Sequence, residues 1–394
     1  MNCPVSLIHF LTLIFALITA YYIFCALYVL LYAVAGVFYR NPVFEKTQHF
    51  RKIAVLVPAY KADSVIEELA DNVLQQDYPD FDVIIIADSV KEDVLKRLRQ
   101  KPVKVMEFSH PDRTKALALN TIMAQLPDDY EIAFILDADN IIPDKHYLSR
   151  LNEVFEAGVQ AVQTHRTAKN TNTTLALLDA VSEEINNSLF RRGHVALGLS
   201  SALIGSAMAF DYRLYKEQML QVSSSGEDKE LEMLLLKKRI PVAYIEKLIV
   251  LDEKVQQSGT FVNQRARWIA NQLMQAQKNF VEGWKQLFRG NIDFFDKAIQ
   301  LFLLPRVLLL ASVTILTVAA LIFLPWNYSS IWLEIAGITY FGILAAIPKR
   351  LYSFKLLKAI FYLPVTVLLM ILSLLKLKGA TKKFVATEHK AIKK

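Results

Sequence analysis

Apolar residues crowd both ends of this chain, while the middle alternates short apolar and polar stretches. From Val5 to Phe38 there is no Asp, Glu, Lys or Arg. A bilayer core is crossed by about 20 apolar helical residues, so this run predicts a membrane span. A cleaved signal peptide would begin with positive charge and carry a shorter apolar core. Met1 to His9 contains no Lys or Arg, which favours a retained span. Three further apolar runs lie near the other end. Pro305 to Pro325 holds Arg306 alone as a charge, Ile331 to Ile347 holds Glu334, and Ala359 to Leu375 is uncharged but contains Pro364.

Between these ends, Ile53–Val57, Val83–Ala87, Val103–Phe108 and Ile132–Leu136 read as strands. Unbroken apolar strands of this length suit a sheet covered on both faces. Helical periodicity separates them. Ser64 to Gln76 carries Val65, Ile66, Leu69 and Val73 on one face, with Ser64 and Glu67 spaced as a capping box. Thr114 to Leu126 carries Leu119, Ile122, Met123 and Leu126 on one face. The alternation predicts an α/β fold with a doubly wound, mostly parallel sheet. Ligands of such sheets bind beyond the C-terminal ends of the strands, which directs attention to Tyr60, Asp88, Asp137 and Asp139.

Composition narrows the class. The 394 residues are 54% hydrophobic, and 45 Lys and Arg stand against 38 Asp and Glu, a net charge of +7. Mean hydropathy is +0.28. Intrinsic disorder is excluded, and a wholly water-exposed protein is disfavoured. Only Cys3 and Cys25 are present, both near the first apolar run, so neither a disulfide framework nor a cysteine zinc site is available to the middle region.

Positive charge clusters on the cytoplasmic side of spans. Arg40, Lys46, Arg51 and Lys52 follow the first run, and Lys349, Arg350, Lys355 and Lys358 follow the third. Both points read as inside. The tail carries Lys376, Lys378, Lys382, Lys383, Lys390, Lys393 and Lys394 against Glu388 alone. A fourth crossing would put this basic tail outside. We therefore expect the fourth run to be re-entrant, kinked at Pro364, or interfacial, with the tail against anionic lipid. A plain fourth span is the alternative. The basic residues adjoin apolar runs and lack interleaved aromatics, so membrane lipid is expected as their partner and nucleic acid is not.

The candidate chemistry lies in three segments. Asp137-Ala-Asp139 emerges from a strand end, where two carboxylates can approach one Mg²⁺ or Mn²⁺ whose remaining ligands come from substrate phosphates. The same pattern also occurs as a simple solvated turn. Glu227 and Asp228 stand at a helix start, favoured there by the helix dipole or poised as a general base. Gln264, Arg267 and Trp268 share a helix face, where Arg267 can fork onto phosphate oxygens and Trp268 offers a flat wall.

In order along the chain stand Val57-Pro-Ala-Tyr60, Ile86-Ala-Asp-Ser89, Thr114-Lys-Ala-Leu-Ala-Leu-Asn120, Asp137-Ala-Asp139, Gly205-Ser-Ala207, Glu227-Asp228 and Gln264-x-x-Arg267-Trp268. The set resembles the membrane-integral glycosyltransferases of family 2, relatives of cellulose, chitin and hyaluronan synthases. The resemblance implies a GT-A-like fold with flanking transmembrane helices. It implies a span in residues 1–45, a cytosolic catalytic domain in 46–298, and membrane or interfacial helices with the basic tail in 299–394. It further implies an integral protein of a bacterial inner membrane, with that domain facing the cytoplasm.

Roles follow from the same resemblance. Tyr60 and Asp88 would meet the nucleoside, and Lys115 the diphosphate. Asp137 and Asp139 would bind the metal and donor, with Asp139 the more direct ligand. Asp228 would be the catalytic base, supported by Glu227. Gln264, Arg267 and Trp268 would hold the diphosphate, with Trp268 also facing the acceptor. Gly205, Ser206 and Ala207 would form the acceptor wall.

The implied activity is inverting transfer from a nucleotide-diphosphate sugar, a UDP-sugar in first expectation, to a growing β-linked polysaccharide. Alternatives are a single transfer to a membrane lipid, and an inactive member that binds a nucleotide or protein partner. Three positions depart from the family pattern. Lys61-Ala62 follows Tyr60, Ala87 precedes Asp88, and Thr114 precedes Lys115. All three bear on donor binding, which leaves nucleotide and sugar open.

Overall fold

The computed structural model describes residues 5–111 and 113–379. Seven strands, β1 (Ile53–Tyr60), β2 (Phe81–Asp88), β3 (Lys104–Glu107), β4 (Ile132–Ile135), β5 (Ala161–Ala168), β6 (Met208–Asp211) and β7 (Ala243–Asp252), form one sheet. Their spatial order is β3-β2-β1-β4-β6-β5-β7. β1, β2, β3 and β4 are parallel where they pair, and so are β5 and β7. β6 runs antiparallel to both β4 and β5. The sheet is thus mixed: the parallel expectation holds across its first half, and one reversed strand interrupts the rest.

The apolar runs become strands because both of their faces find cover. Ile53, Val55 and Val57 share a core with Ile66, Leu69 and Val73 of the helix Ile66–Val73. Ala54 and Leu56 point the other way, into a core with Leu119, Ile122 and Met123 of the helix Lys115–Met123. Each fully buried aliphatic side chain contributes roughly 1.5–3 kcal/mol, so a strand apolar at every position is held from both sides. Thr114 caps the second helix, its side chain accepting from the Leu117 amide at 3.1 Å. The predicted capping box at Ser64 is not how the first helix starts. Val65 occupies the N-cap position there, and its side chain makes no cap bond.

Among the described residues three helices are long and apolar enough to cross a membrane: His9–Val37, Arg306–Phe323 and Trp326–Ala346. The fourth run is broken into Phe354–Ile360 and Leu363–Leu375, which meet at a bend of 54° just before Pro364. Leu369 and Met370 of the second piece pack against Phe261, Val262 and Ile269 of the long helix Ser258–Phe288. The first helix is joined to the central domain at Gly193, where a Cβ would lie 2.2 Å from the Tyr32 carbonyl oxygen. Only a residue without a side chain permits that approach. Tyr32 then stacks on His194, ring centroids 3.8 Å apart, and donates to Asp296 at 2.6 Å. Cys3 and the tail residues Lys382, Lys383, Glu388, Lys390, Lys393 and Lys394 lie outside the described residues.

Candidate active site

Polar residues begin where the apolar strands stop. Tyr60 and Asp88 are register partners at the ends of β1 and β2. Asp137 and Asp139 follow β4 immediately after the buried Leu136. The helix Glu227–Lys237 brings Glu227 and Asp228 in its first turn, and the helix Ser258–Phe288 carries Gln264, Arg267 and Trp268. All of these residues, with Lys115 and Gly205, line one cleft of about 590 Å³. Ser206 and Ala207 do not line it. Both are fully buried, and the Ser206 hydroxyl accepts from Arg166 at 3.1 Å. The expected acceptor wall therefore reaches the cleft at Gly205 alone, because Ser206 turns inward to hold Arg166.

Lys115 stands where the acidic groups meet. Its ammonium donates to Asp137 Oδ1 at 2.6 Å and to the Gly205 carbonyl at 2.6 Å, and lies 3.6 Å from Glu227 Oε1. Gly205 has φ +83°, and a Cβ there would sit 3.6 Å from Glu227 Oε1 and 3.9 Å from Asp228 Oδ2. The strand-end acids and the helix-start acids thus share one centre.

Their environments push them apart electrostatically. Burial raises the Glu227 carboxyl to about 7, and the Asp228 charge adds to this against the pull of Lys115. Burial works against the Asp137 charge as well, but Lys115 and Arg166 outweigh it and hold that carboxyl below its usual range. Burial likewise opposes the Lys115 charge, and Asp137 and Glu227 overcome it and raise the ammonium. Diverging carboxyls of this kind are a mark of acid–base sites.

Sequence reading missed a second layer beneath the cleft. Arg166 bonds Glu183 Oε1 at 2.7 Å and lies 3.9 Å from Asp137 Oδ2 and 3.8 Å from Asp252 Oδ1. Lys254 bonds Asp252 at 2.6 Å and pairs with Glu183. Asn140 joins this layer to the acid pair, donating to Asp252 at 3.0 Å and to Asp139 at 3.3 Å. At the opposite end, Arg113 donates to Ser89 Oγ at 2.8 Å and its guanidinium lies 5.8 Å from the Tyr60 ring centroid. None of these residues carries a local signal. They converge only because β5 pairs with β7 and β1 with β2.

A family model described as glycosyltransferase-like family 2 matches residues 51–271, more than half of the chain and every candidate residue named above. The chain belongs to that family. In fold it is similar to the mannosyltransferase PcManGT from Pyrobaculum calidifontis in complex with GDP-Man and Mn²⁺. That likeness has a TM-score of 0.57 and 16% identity, over 91% of this chain and 96% of that one. More remote is S. aureus TarS 1–349 in complex with UDP-GlcNAc, at TM-score 0.41 and 15% identity over 84% of this chain and 90% of that one. Glucosyl-3-phosphoglycerate synthase from Mycobacterium tuberculosis, in complex with Mn²⁺, UDP and glucosyl-3-phosphoglycerate, gives TM-score 0.38 and 19% identity over 54% and 75%. No curated protein matches the sequence.

The donor set of this family 2 glycosyltransferase suits a shared metal better than a resident one. Among the described residues no three acidic, imidazole or thiol groups gather closely enough to cage an ion. Asp137 is already neutralised by Lys115. Asp139 is 6% exposed, lines the cleft, and accepts the Glu253 amide at 3.2 Å. One or two carboxylates fit a hard divalent ion such as Mg²⁺ or Mn²⁺ when phosphate oxygens complete its sphere.

Proposed function

We propose that the protein moves a sugar from a nucleotide-diphosphate donor to an acceptor hydroxyl, with inversion, at a membrane surface. The observation that carries this is the meeting of Asp137, Glu227 and Asp228 around Lys115 and Gly205, in one cleft with Asp139 and Arg267. Tyr60 and Asp88 would hold the nucleoside. Lys115, Gln264 and Arg267 would hold the diphosphate, and Asp139 with Asp137 would hold a divalent ion. When bound, that ion would neutralise charge gathering on the departing diphosphate. Arg267 adds the same effect from the helix side, where fixed charge needs no rearrangement during reaction.

Asp228 takes the proton of the acceptor hydroxyl. The hydroxyl oxygen bonds the anomeric carbon as the bond to the diphosphate breaks, and nucleoside diphosphate leaves. Attack from the face opposite the leaving group inverts the centre, so an α-linked donor gives a β-linked product. Burial favours the protonated form of Glu227, which lowers the repulsion between the neighbouring carboxyls.

The acceptor reading that the geometry favours is a lipid. The same cleft is lined by Leu304, Val307 and Leu310 at the second membrane-length helix, Ile343 of the third, and Met370 of the bent one. Such a wall suits acyl or prenyl chains. The intact Gln264-x-x-Arg267-Trp268 set, with Trp268 40% exposed and lining the cleft, favours the second reading, extension of a β-linked polysaccharide. In either case residues 1–45 and 299–379 hold the domain 46–298 against the inner face of a membrane, with Leu363–Leu375 interfacial. Incubation of the purified protein with labelled nucleotide sugars and membrane lipid tests the choice. A single organic-extractable glycolipid supports lipid transfer, a long insoluble product supports the polymer, and absence of any transfer from the whole donor panel refutes both.

A further inference from the structure

The membrane end of the cleft is basic as well as apolar. Arg306, at the start of the helix Arg306–Phe323, donates to the Ser182 carbonyl at 2.8 Å and the Ser182 hydroxyl at 2.7 Å, and also bonds the Asn186 side-chain oxygen. All three partners are neutral. Arg191 is 1% exposed, and it too bonds only neutral oxygens, Ala202 O at 3.2 Å and Asn187 Oδ1 at 2.7 Å. Among the described residues neither guanidinium has a carboxylate within ion-pairing distance. The third member, Arg265, pairs with Asp179 and lies 4.3 Å from the Trp268 ring centroid. Arg306 lies close enough to Arg265 and Arg191 to be repelled by both, and Asp179 is the carboxylate that acts on it; Arg191 is reached by the more distant charges of Glu183 and Glu232. The three arginines and Asp179 line the cleft.

A guanidinium that is part-buried among like charges and touched only by neutral oxygens is unfavourable, and an anion bound there offsets the cost. The helix Thr174–Asn187 fixes where that anion would sit. Its Ser182 and Asn186 hold Arg306, while Glu183, the next residue along, belongs to the Arg166 layer behind Asp137. The basic group therefore adjoins the reaction centre on one side and the aliphatic wall on the other.

We infer that the acceptor is a lipid carrying a phosphate between its hydrocarbon chain and the hydroxyl that receives the sugar. Arg306 and Arg191 bind the phosphate, the chain lies among Leu304, Val307, Leu310 and Met370, and the hydroxyl reaches Asp228. This deepens the proposed transfer to lipid and rests on it. A phosphodiester lipid with a polyol headgroup and a prenyl diphosphate bearing a sugar share this chemistry.

Binding of lipids to the purified full-length chain, with no donor present, tests the inference. The probes are dioleoyl phosphatidylglycerol, a polyprenyl diphosphate bearing one sugar, and monoglucosyl dioleoylglycerol, which has hydroxyls but no phosphate. At least one phosphate lipid is expected to bind about tenfold or more tighter than the neutral glycolipid, and the tighter of the two identifies the source. Arg306→Gln should erase that preference and Arg306→Lys should keep most of it. Equal binding of neutral and phosphate lipids overturns the inference, as does an Arg306→Gln variant that keeps the preference. Uniform loss of all three lipids in Arg306→Gln also overturns it, because Arg306 is then only a tie between helix and domain. These outcomes concern lipid alone, whereas failure of every nucleotide sugar to react removes the underlying transfer reading instead.

Discussion

The Lys115 ammonium lies 2.6 Å from Asp137 and 3.6 Å from Glu227, so one cation joins an acid at a strand end to an acid at a helix start. With its third contact to the Gly205 carbonyl, it fixes the spacing of the site before any substrate arrives.

Removing that cation should be expensive. Lys115→Met leaves the half-exposed Asp137 and the buried Glu227 without their shared cation, and losing a charged hydrogen-bond partner in this way costs about 1–3 kcal/mol. Thermal or denaturant unfolding of the purified variant should show a loss of that order, and adding Asp137→Asn in the same chain should restore part of it. A Lys115→Met variant as stable as the parent would contradict the arrangement.

Gly205 tests the backbone that holds the corner together. At φ +83° an alanine pays about 1–2 kcal/mol for left-handed geometry. Its Cβ would make only ordinary contact with Glu227 at 3.6 Å, so strain and not collision is the cause. Gly205→Ala should lose about that much stability and also weaken transfer, measured side by side.

Glu227 sets a pH dependence with a definite sign. Its carboxyl is raised to about 7 in the folded chain from an ordinary 4.5. Between those values the folded chain keeps a proton that the unfolded chain has released. Stability from this group is therefore full below about 4.5 and lost as pH rises through about 7. Glu227→Gln should flatten the slope, narrowing or reversing any melting-temperature deficit by about 2–5 °C between pH 5 and pH 8. Parallel pH profiles for the two proteins would contradict this.

The metal reading predicts that chelation stops transfer and that Mg²⁺ or Mn²⁺ restores it. Asp139→Asn should raise the metal concentration needed for half-maximal nucleotide binding by about tenfold or more, since it removes a first carboxylate that the substrate cannot replace. Nucleotide binding by fluorescence or calorimetry reads this directly, and an unchanged requirement would exclude Asp139 as a ligand.

Much of this site was legible because its parts are local. The apolar runs at Ile53, Val83 and Ile132 became β1, β2 and β4, and the polar residues that stop them became the cleft edge. The face shared by Gln264, Arg267 and Trp268 follows from helical spacing alone. The Arg166, Glu183, Asp252 and Lys254 layer was not legible, because it depends on β5 pairing with β7 through a register shift between Thr164 and His165. The reversal of β6 was hidden as well, because a four-residue strand carries no mark of direction. The resemblance placed Ser206 in an acceptor wall with Gly205, but left-handed backbone at Gly205 and Ala207 lets the segment turn between them, and the serine faces Arg166.

The most direct test of the central arrangement is to compare nucleotide-diphosphate binding and sugar transfer in Asp228→Asn. General-base loss should lower transfer by about 10²–10⁴-fold. Nucleotide affinity in the presence of Mg²⁺ or Mn²⁺ should stay within about threefold of the parent, because in the proposed reaction Asp228 would act on the acceptor and not on the diphosphate. Transfer at the parental rate in Asp228→Asn, or loss of nucleotide binding equal to the loss of transfer, would contradict the account.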